Sequence, residues 1–214
     1  MPTRDPVAIR ELGPDDLYRA PRTPELVRVP EGAFLMIDGT GGPGGSAAYQ
    51  EALGALYTLA WTLRFAVKKE VGLVYHVAPL EGLWWAEEMA AFTAEGDDRA
   101  TWRWTMMIAQ PDAVTPDRLD VARVEGGRRH PSEALTRVRL ERFAEGLAAQ
   151  VLHVGPYEAE GPTIEGLHAF IARCGYRFDG RVQRHHEIYL GDPRRTAPAK
   201  LRTIVRQPVV SGMT

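Results

Sequence analysis

One succession of elements, strand, helix, strand, strand, can be read twice along this 214-residue chain, and that repetition restricts the fold more than any other feature. In the first copy a β-rich run from Val27 to Gly39 enters a glycine cluster, Gly39 to Gly45. A long helical pattern follows from Ala47 to about Glu70, with Leu53, Leu56, Tyr57, Ala60 and Leu63 at spacings of three and four that place them on one face. The runs Leu73 to Leu80 and Thr101 to Ile108 then read as strands, the second alternating strictly. In the second copy a strand from Thr136 to about Phe143 turns at Glu145-Gly146 and continues to Gly155. A helix from about Thr163 to Cys174 follows, its apolar face formed by Ile164, Leu167, Phe170, Ile171 and Cys174, with Gly175 placed to end it. Arg184 to Leu190 and Leu201 to Val205 complete the set.

A local signature supports the duplication: Pro30-Glu31-Gly32 before an apolar run to Gly39 parallels Ala144-Glu145-Gly146 before an apolar run to Gly155. The pattern predicts an α+β fold of tandem duplicated β-α-β-β modules, with antiparallel sheets, helices on one side and a ligand cleft between the modules. Residues 1–25, rich in proline and charge, are expected to be an extended lead-in. Module one spans about 26–110, a connecting helix and linker about 111–135, and module two about 136–208, within one domain of 26–214. Thr115 and Pro116 fit the cap and first position of the connecting helix, Ala86 to Phe92 a short helix, and Glu125 to Pro131 (EGGRRHP) a linker.

Composition excludes several classes. Hydrophobic residues make up 44% and charged residues 25%, with a mean hydropathy of -0.26, as in water-soluble globular chains. No apolar run approaches the ~20 residues of a bilayer span, and the first thirty residues hold no secretory h-region, so a cytoplasmic location with no membrane partner is expected. The net charge of -2 offers no general attraction for nucleic acid. Arg128-Arg129 and Arg194-Arg195 read as solvated surface charge. The lone Cys174 can form no internal disulfide and reads as a small apolar residue.

Two constellations could carry chemistry. All five tryptophans, Trp61, Trp84, Trp85, Trp102 and Trp104, fall in the first copy. Alternation puts Trp102, Trp104, Met106 and Ile108 on one strand face, which is either a tryptophan-rich core under a helix or the wall of a pocket for a flat apolar ligand. In the late strand, His185, Glu187 and Tyr189 share one face, while His186, Ile188 and Leu190 share the other, the core face. A carboxylate and a phenol pointing the same way suit a general base beside a hydrogen-bond donor, and a solvated surface carboxylate is the alternative.

Other chemistry finds little support. His185 and His186 face opposite ways and cannot chelate one ion in regular strand geometry, and neither HExxH nor CxxC is present, so no metal site is assigned. His76, His153 and His168 stand isolated in apolar runs. Gly39, Gly41 and Gly44 make a formal G-x-G-x-x-G, but Pro43 removes an amide where a phosphate would need one, and the element order afterwards is wrong for a dinucleotide fold. Three serines, none in a nucleophile elbow, argue against covalent catalysis. No cofactor is expected.

The segments LVRVPEGAFLMIDGTG, PLEGLWW, TWRWTMMIAQPD, VLHVGPY and HHEIYLGDPRRTAPAKLRTIVRQPV together resemble GyrI-like proteins, from about Leu17 to Val209. The resemblance implies a tandem of two β-α-β-β modules with a ligand cleft, as in the effector-binding parts of bacterial multidrug-responsive regulators. The EGLWW and Trp102–Ile108 segments are similar to a stand-alone subgroup without a DNA-binding head. Some members of that subgroup hydrolyse electrophilic cyclopropane rings of DNA-alkylating natural products, a detoxification. It further implies that the late-strand carboxylate, here Glu187, sits in the aromatic cleft and faces cationic or polarised ligands; on our reading it orients or deprotonates water with Tyr189 as hydrogen-bond partner. Trp85, Trp104 and Met106 would stack on a planar hydrophobic ligand, Tyr157 would close the cleft, and Glu81 and His185 would complete the binding set. The rivals are a non-catalytic drug or metabolite binder and a toxin antagonist that acts on DNA gyrase as a protein partner.

Overall fold

Side-chain caps and left-handed glycines set the element ends in the computed structural model, which describes residues 8–42, 46–86, 101–178 and 184–212. Ser46 Oγ accepts from the Tyr49 amide at 3.1 Å and Thr115 Oγ1 from the Arg118 amide at 3.4 Å, satisfying donors that a first helical turn leaves unpaired. Gly72 and Gly175 follow helices with φ of 76° and 80°, values that other residues reach only with strain. The chain order is β1 (Ile9–Glu11), β2 (Glu25–Val29), β3 (Gly32–Thr40), α1 (Ala47–Val71), β4 (Leu80–Trp85) and β5 (Arg103–Gln110). It continues with α2 (Pro116–Arg129), α3 (Ala134–Arg137), β6 (Arg139–Phe143), β7 (Gly146–Val154) and α4 (Gly161–Arg173). Last come β8 (Tyr176–Arg177), β9 (His185–Tyr189), β10 (Arg202–Pro208) and β11 (Val210–Ser211). The fold is α+β, and no helix among the described residues is long and apolar enough to cross a membrane.

The chain forms two compact units, a continuous one, Gly32–Phe143, and a split one, Met1–Glu31 with Ala144–Thr214. Both crossings fall at the repeated signature, at Glu31-Gly32 and Phe143-Ala144. The strand before each signature pairs outside its own repeat: β2 lies antiparallel to β7, and β6 antiparallel to β3. The compact units therefore differ from the contiguous stretches 26–110 and 136–208 read from the pattern. Alternation identifies a strand and its buried face, but not its partner.

In the continuous unit the strand order is β4-β5-β3-β6, all antiparallel. Helix α1 packs on β3 and β5 and buries Leu56, Leu59 and Leu63. The EGGRR segment read as a linker is helical and belongs to α2. A Cβ on Gly126 would lie 3.0 Å from Thr58 Cγ2, so its glycine permits α2 to sit close on α1. The expected strand Leu73–Leu80 is irregular up to Pro79: Leu73 and Val74 are 40% and 62% exposed, and the Tyr75 carbonyl accepts from Arg64 Nε on α1 at 2.7 Å instead of pairing in a sheet. Residues 87–92 of the expected short helix lie outside the described residues, as does Gly44 of the glycine motif.

Gly39 has a packing reason. It stands opposite Trp104 in the β3–β5 register, and a Cβ there would come within 2.1 Å of the indole Cζ2. Replacement by alanine overpacks a buried tryptophan, and the expected cost is about 1–3 kcal/mol. Urea unfolding of Gly39→Ala checks this; an unchanged midpoint at unchanged slope means that the indole moves aside freely.

The split unit has the order β1-β2-β7-β10-β9, with β1 parallel to β2 and the rest antiparallel. Helix α4 buries Leu167 and Ile171 against Leu26, Ala149, Val151 and Val205, at roughly 1.5–3 kcal/mol for each fully buried side chain. The opposite face buries Val27, Val29 and Ala148 under Leu12. A small ladder of β8 and β11 follows α4.

Candidate functional site

Strand alternation on β9 turns His185, Glu187 and Tyr189 one way and the buried His186 and Ile188 the other. Glu187 stands opposite Val205 on β10, whose side chain belongs to the core under α4, so the carboxyl occupies the helix-bearing face of the split unit. Both of its oxygens are engaged. Oε1 lies 3.0 Å from His185 Nε2, and Oε2 accepts from the Tyr189 hydroxyl at 2.7 Å. The Gln207 amide nitrogen, 3.2 Å from His185 Nδ1, donates to that nitrogen, so the ring presents its N–H to Glu187 through Nε2. The Tyr157 ring meets Tyr189 edge-on at 5.8 Å, from the 3-10 turn Tyr157–Ala159. The four residues expected in this half, Glu187, Tyr189, His185 and Tyr157, are thus brought together.

The sequence reading missed Glu160. It precedes the first residue of α4 without capping the helix, is 4% exposed, and its carboxyl lies within hydrogen-bonding reach of Glu187. Burial, and next the negative charge of Glu187, push its carboxyl up to about 9. Glu187 goes the other way: burial works against its charge, but the bonds from His185 and Tyr189 outweigh it and hold the group below the usual carboxylate range. Burial and the surrounding carboxylates push the Tyr157 phenol up to about 12. Glu160 Oε1 is a buried polar atom without a hydrogen-bond partner among the described residues, while Thr203 lies within reach of the Glu160 carboxyl and Gln207 within reach of His168. Such an atom suits an added water or a ligand polar group. In sequence, Glu160 looks like an ordinary acidic residue at a helix start; the signal that singles it out is the placement of β7, β10 and β9 side by side.

The far face of the same strands carries a buried network. His186 Nδ1 lies 3.0 Å from Glu145 Oε1, Arg206 donates to Glu145 at 3.3 Å and to Gln150 at 2.9 Å, and Gln150 reaches Glu25 at 2.8 Å. Glu145 and Arg206 are 1% and 2% exposed. The residue read as a simple turn is therefore a buried anion. Burial opposes its charge, yet His186 and Arg206 hold Glu145 below its ordinary value.

In the continuous unit the expected binding residues divide between two faces. Trp104 and Met106 face α1, where Tyr49 meets the Trp104 ring edge-on at 5.3 Å and its hydroxyl reaches Met106 Sδ at 3.7 Å. The β4–β5 register puts Trp84 beside them, with Tyr49 stacked on it at 6.3 Å and Trp102 edge-on at 6.0 Å. Trp85 packs against Met36, Leu83 and Met107 on the other face, and alternation sends Glu81 that way too. Trp85, Trp104 and Met106 therefore do not form one wall; Trp84 is the tryptophan that joins Trp104. Trp104 is 1% exposed and its Nε1 has no hydrogen-bond partner among the described residues. Arg128, Arg129, Arg194 and Arg195 are exposed, and the last two lie near Asp192.

Comparison with known proteins adds the following. The model of the GyrI-like small molecule binding domain matches residues 22–210. An uncharacterized conserved protein from Listeria innocua is 40% identical, with a TM-score of 0.84 over 92% of this chain and 97% of that one. A hydrolase from Listeria innocua is 38% identical, with a TM-score of 0.79 over 92% and 96%. EcmrR, solved in complex with DNA, shares the fold at 13% identity, with a TM-score of 0.53 over 88% of this chain and 57% of that one. No curated protein matches the chain.

Proposed function

Because this chain belongs to the GyrI-like family of small-molecule-binding proteins, we propose that it binds flat hydrophobic molecules bearing an electrophilic cyclopropane and opens that ring by adding water. The observation that carries the reading is Glu187, a carboxylate kept ionised with both oxygens fixed by His185 and Tyr189. The hydrolase from Listeria innocua, 38% identical over nearly the whole chain, supports a hydrolytic activity.

In the proposed reaction Glu187 takes a proton from water while the water oxygen bonds to the ring CH2. The C–C bond between that carbon and the activated ring carbon breaks. Its electron pair passes into the conjugated carbonyl, whose oxygen gains a proton, so the product is the substrate plus one water. Tyr189 and His185 fix the direction of the carboxylate, and the rings of Tyr157 and Tyr189 supply flat apolar surface beside it. Trp84, Trp104 and Met106 are buried against Tyr49 under α1, and Trp85, half-buried on the other face, is the tryptophan proposed to meet a planar ligand. The base needs no cofactor to do this.

Purified protein incubated with a cyclopropane-bearing DNA alkylator, followed by mass spectrometry with the uncatalysed rate subtracted, tests the reading. Catalytic formation of a compound heavier by one water is the expected result. Compound that binds but stays unchanged would reduce the protein to a sequestering binder, and no binding at all would remove the ligand class.

A further inference from the structure

Glu160 takes no part in the reaction as written, yet it is the buried ionisable group next to the base. Two carboxyl groups within hydrogen-bonding reach attract each other only through a proton, because ionised oxygens accept and cannot donate. The supply of donors decides which one holds it. Glu187 receives an N–H from His185 at 3.0 Å and an O–H from Tyr189 at 2.7 Å, both of which favour its charged form. Glu160 is 4% exposed, makes no side-chain cap to α4, and leaves Oε1 without a partner among the described residues. Its other neighbours bring no cation: Glu158 and Tyr157 in the preceding turn, and on β10 the Thr203 hydroxyl, whose one hydrogen bond favours the charged form and is outweighed by burial and by Glu187. His185 on β9 lies against Glu187, and His153 on β7 is engaged by Thr163 Oγ1 at 2.9 Å.

We propose that Glu160 and Glu187 share a single proton, that Glu160 carries it, and that the protonated Glu160 is a positioning residue that keeps Glu187 the lone anion of the site. The proposal rests on the reading of Glu187 as the base. It also gives that base an upper pH limit, set by a different residue. Glu160 keeps its proton up to about 9, because burial and the neighbouring charge oppose ionisation. Above that pH a second negative charge appears beside Glu187 and the donor it relied on is gone.

Glu160→Gln retains the shape and an N–H donor but has nothing to titrate. A folded value raised above the ordinary 4.5 gives stability that is complete below 4.5 and is lost as pH rises toward 9. Melting temperatures measured from pH 5 to 9 should therefore show the variant gaining on the wild type as pH rises. Turnover of the alkylator should fall several-fold in Glu160→Gln and further in Glu160→Ala, and the alkaline decline of the wild type should be missing from the glutamine variant. A melting difference that does not change with pH overturns the shared proton. The same alkaline decline in both proteins overturns the positioning role. If the wild type turns nothing over, the hydrolase reading fails, and the melting series still decides the shared proton.

Discussion

Turnover of a cyclopropane-bearing alkylator falls by about 10²- to 10⁴-fold when Glu187 is replaced by glutamine, the range expected for loss of a general base, while the dissociation constant barely moves. Glutamine has the same outline and keeps one oxygen to accept from His185 or Tyr189. It cannot take a proton from water. Binding that depends on shape and apolar contact therefore survives, and the loss appears in kcat, the signature of an interaction used only in the transition state. Calorimetry or fluorescence titration gives the dissociation constant, and product formation gives kcat. Turnover retained in the variant removes Glu187 as the base; equal losses in binding and turnover reduce it to a ligand contact.

Arg206→Met carries the second large effect, on stability. The substitution preserves most of the volume but strips Glu145, at 1% exposure, of its guanidinium partner, and breaking a buried pair in this way costs about 3–5 kcal/mol. The pH dependence identifies the cause. Glu145 is held below its ordinary 4.5, so its contribution is present above that pH and lost as pH falls through the lower folded value. In the variant the carboxyl has lost much of what held it down. The gap between the two proteins should be widest at neutral pH and narrow on acidification, as Glu145 becomes protonated in both. Urea unfolding at pH 7 and pH 4 measures it. A pH-independent gap assigns the loss to packing of the arginine stem, not to the buried charge.

What could be read from the amino-acid order follows a physical division. Helix α1 and the Thr115 cap were legible because periodicity and capping act within a few residues, and so was the shared face of His185, Glu187 and Tyr189, because alternation is a local rule. Three things were not legible. The partners of β2 and β6 depend on contacts between distant segments. Glu160 and Glu145 look like a helix-start acid and a turn residue until the strands that surround them are placed. Trp84 and Trp85 are one residue apart, and the choice between them rests on a register that composition does not contain: the observed pairing of Trp84 with Trp104 sends Trp85 to the other face. Leu73 to Pro79 shows the converse error, an apolar run with the right composition and no sheet neighbour among the described residues before Leu80 opens β4.

The division of the chain also orders its own synthesis. Gly32–Phe143 is contiguous and holds at least one partner for each of its strands, so it can begin to fold as soon as it leaves the ribosome. Glu25–Val29 is made earlier, with only the three-residue β1 as a neighbour, and must wait for Gly146–Val154, more than a hundred residues downstream, for its second partner. During that interval Leu26 and Val27, both buried in the finished protein, lie on a strand with one edge still open. Slowing translation over residues 144–214 lengthens this exposure, and the nascent chain is then at its most vulnerable to aggregation and to chaperone capture, at the segment made first and finished last.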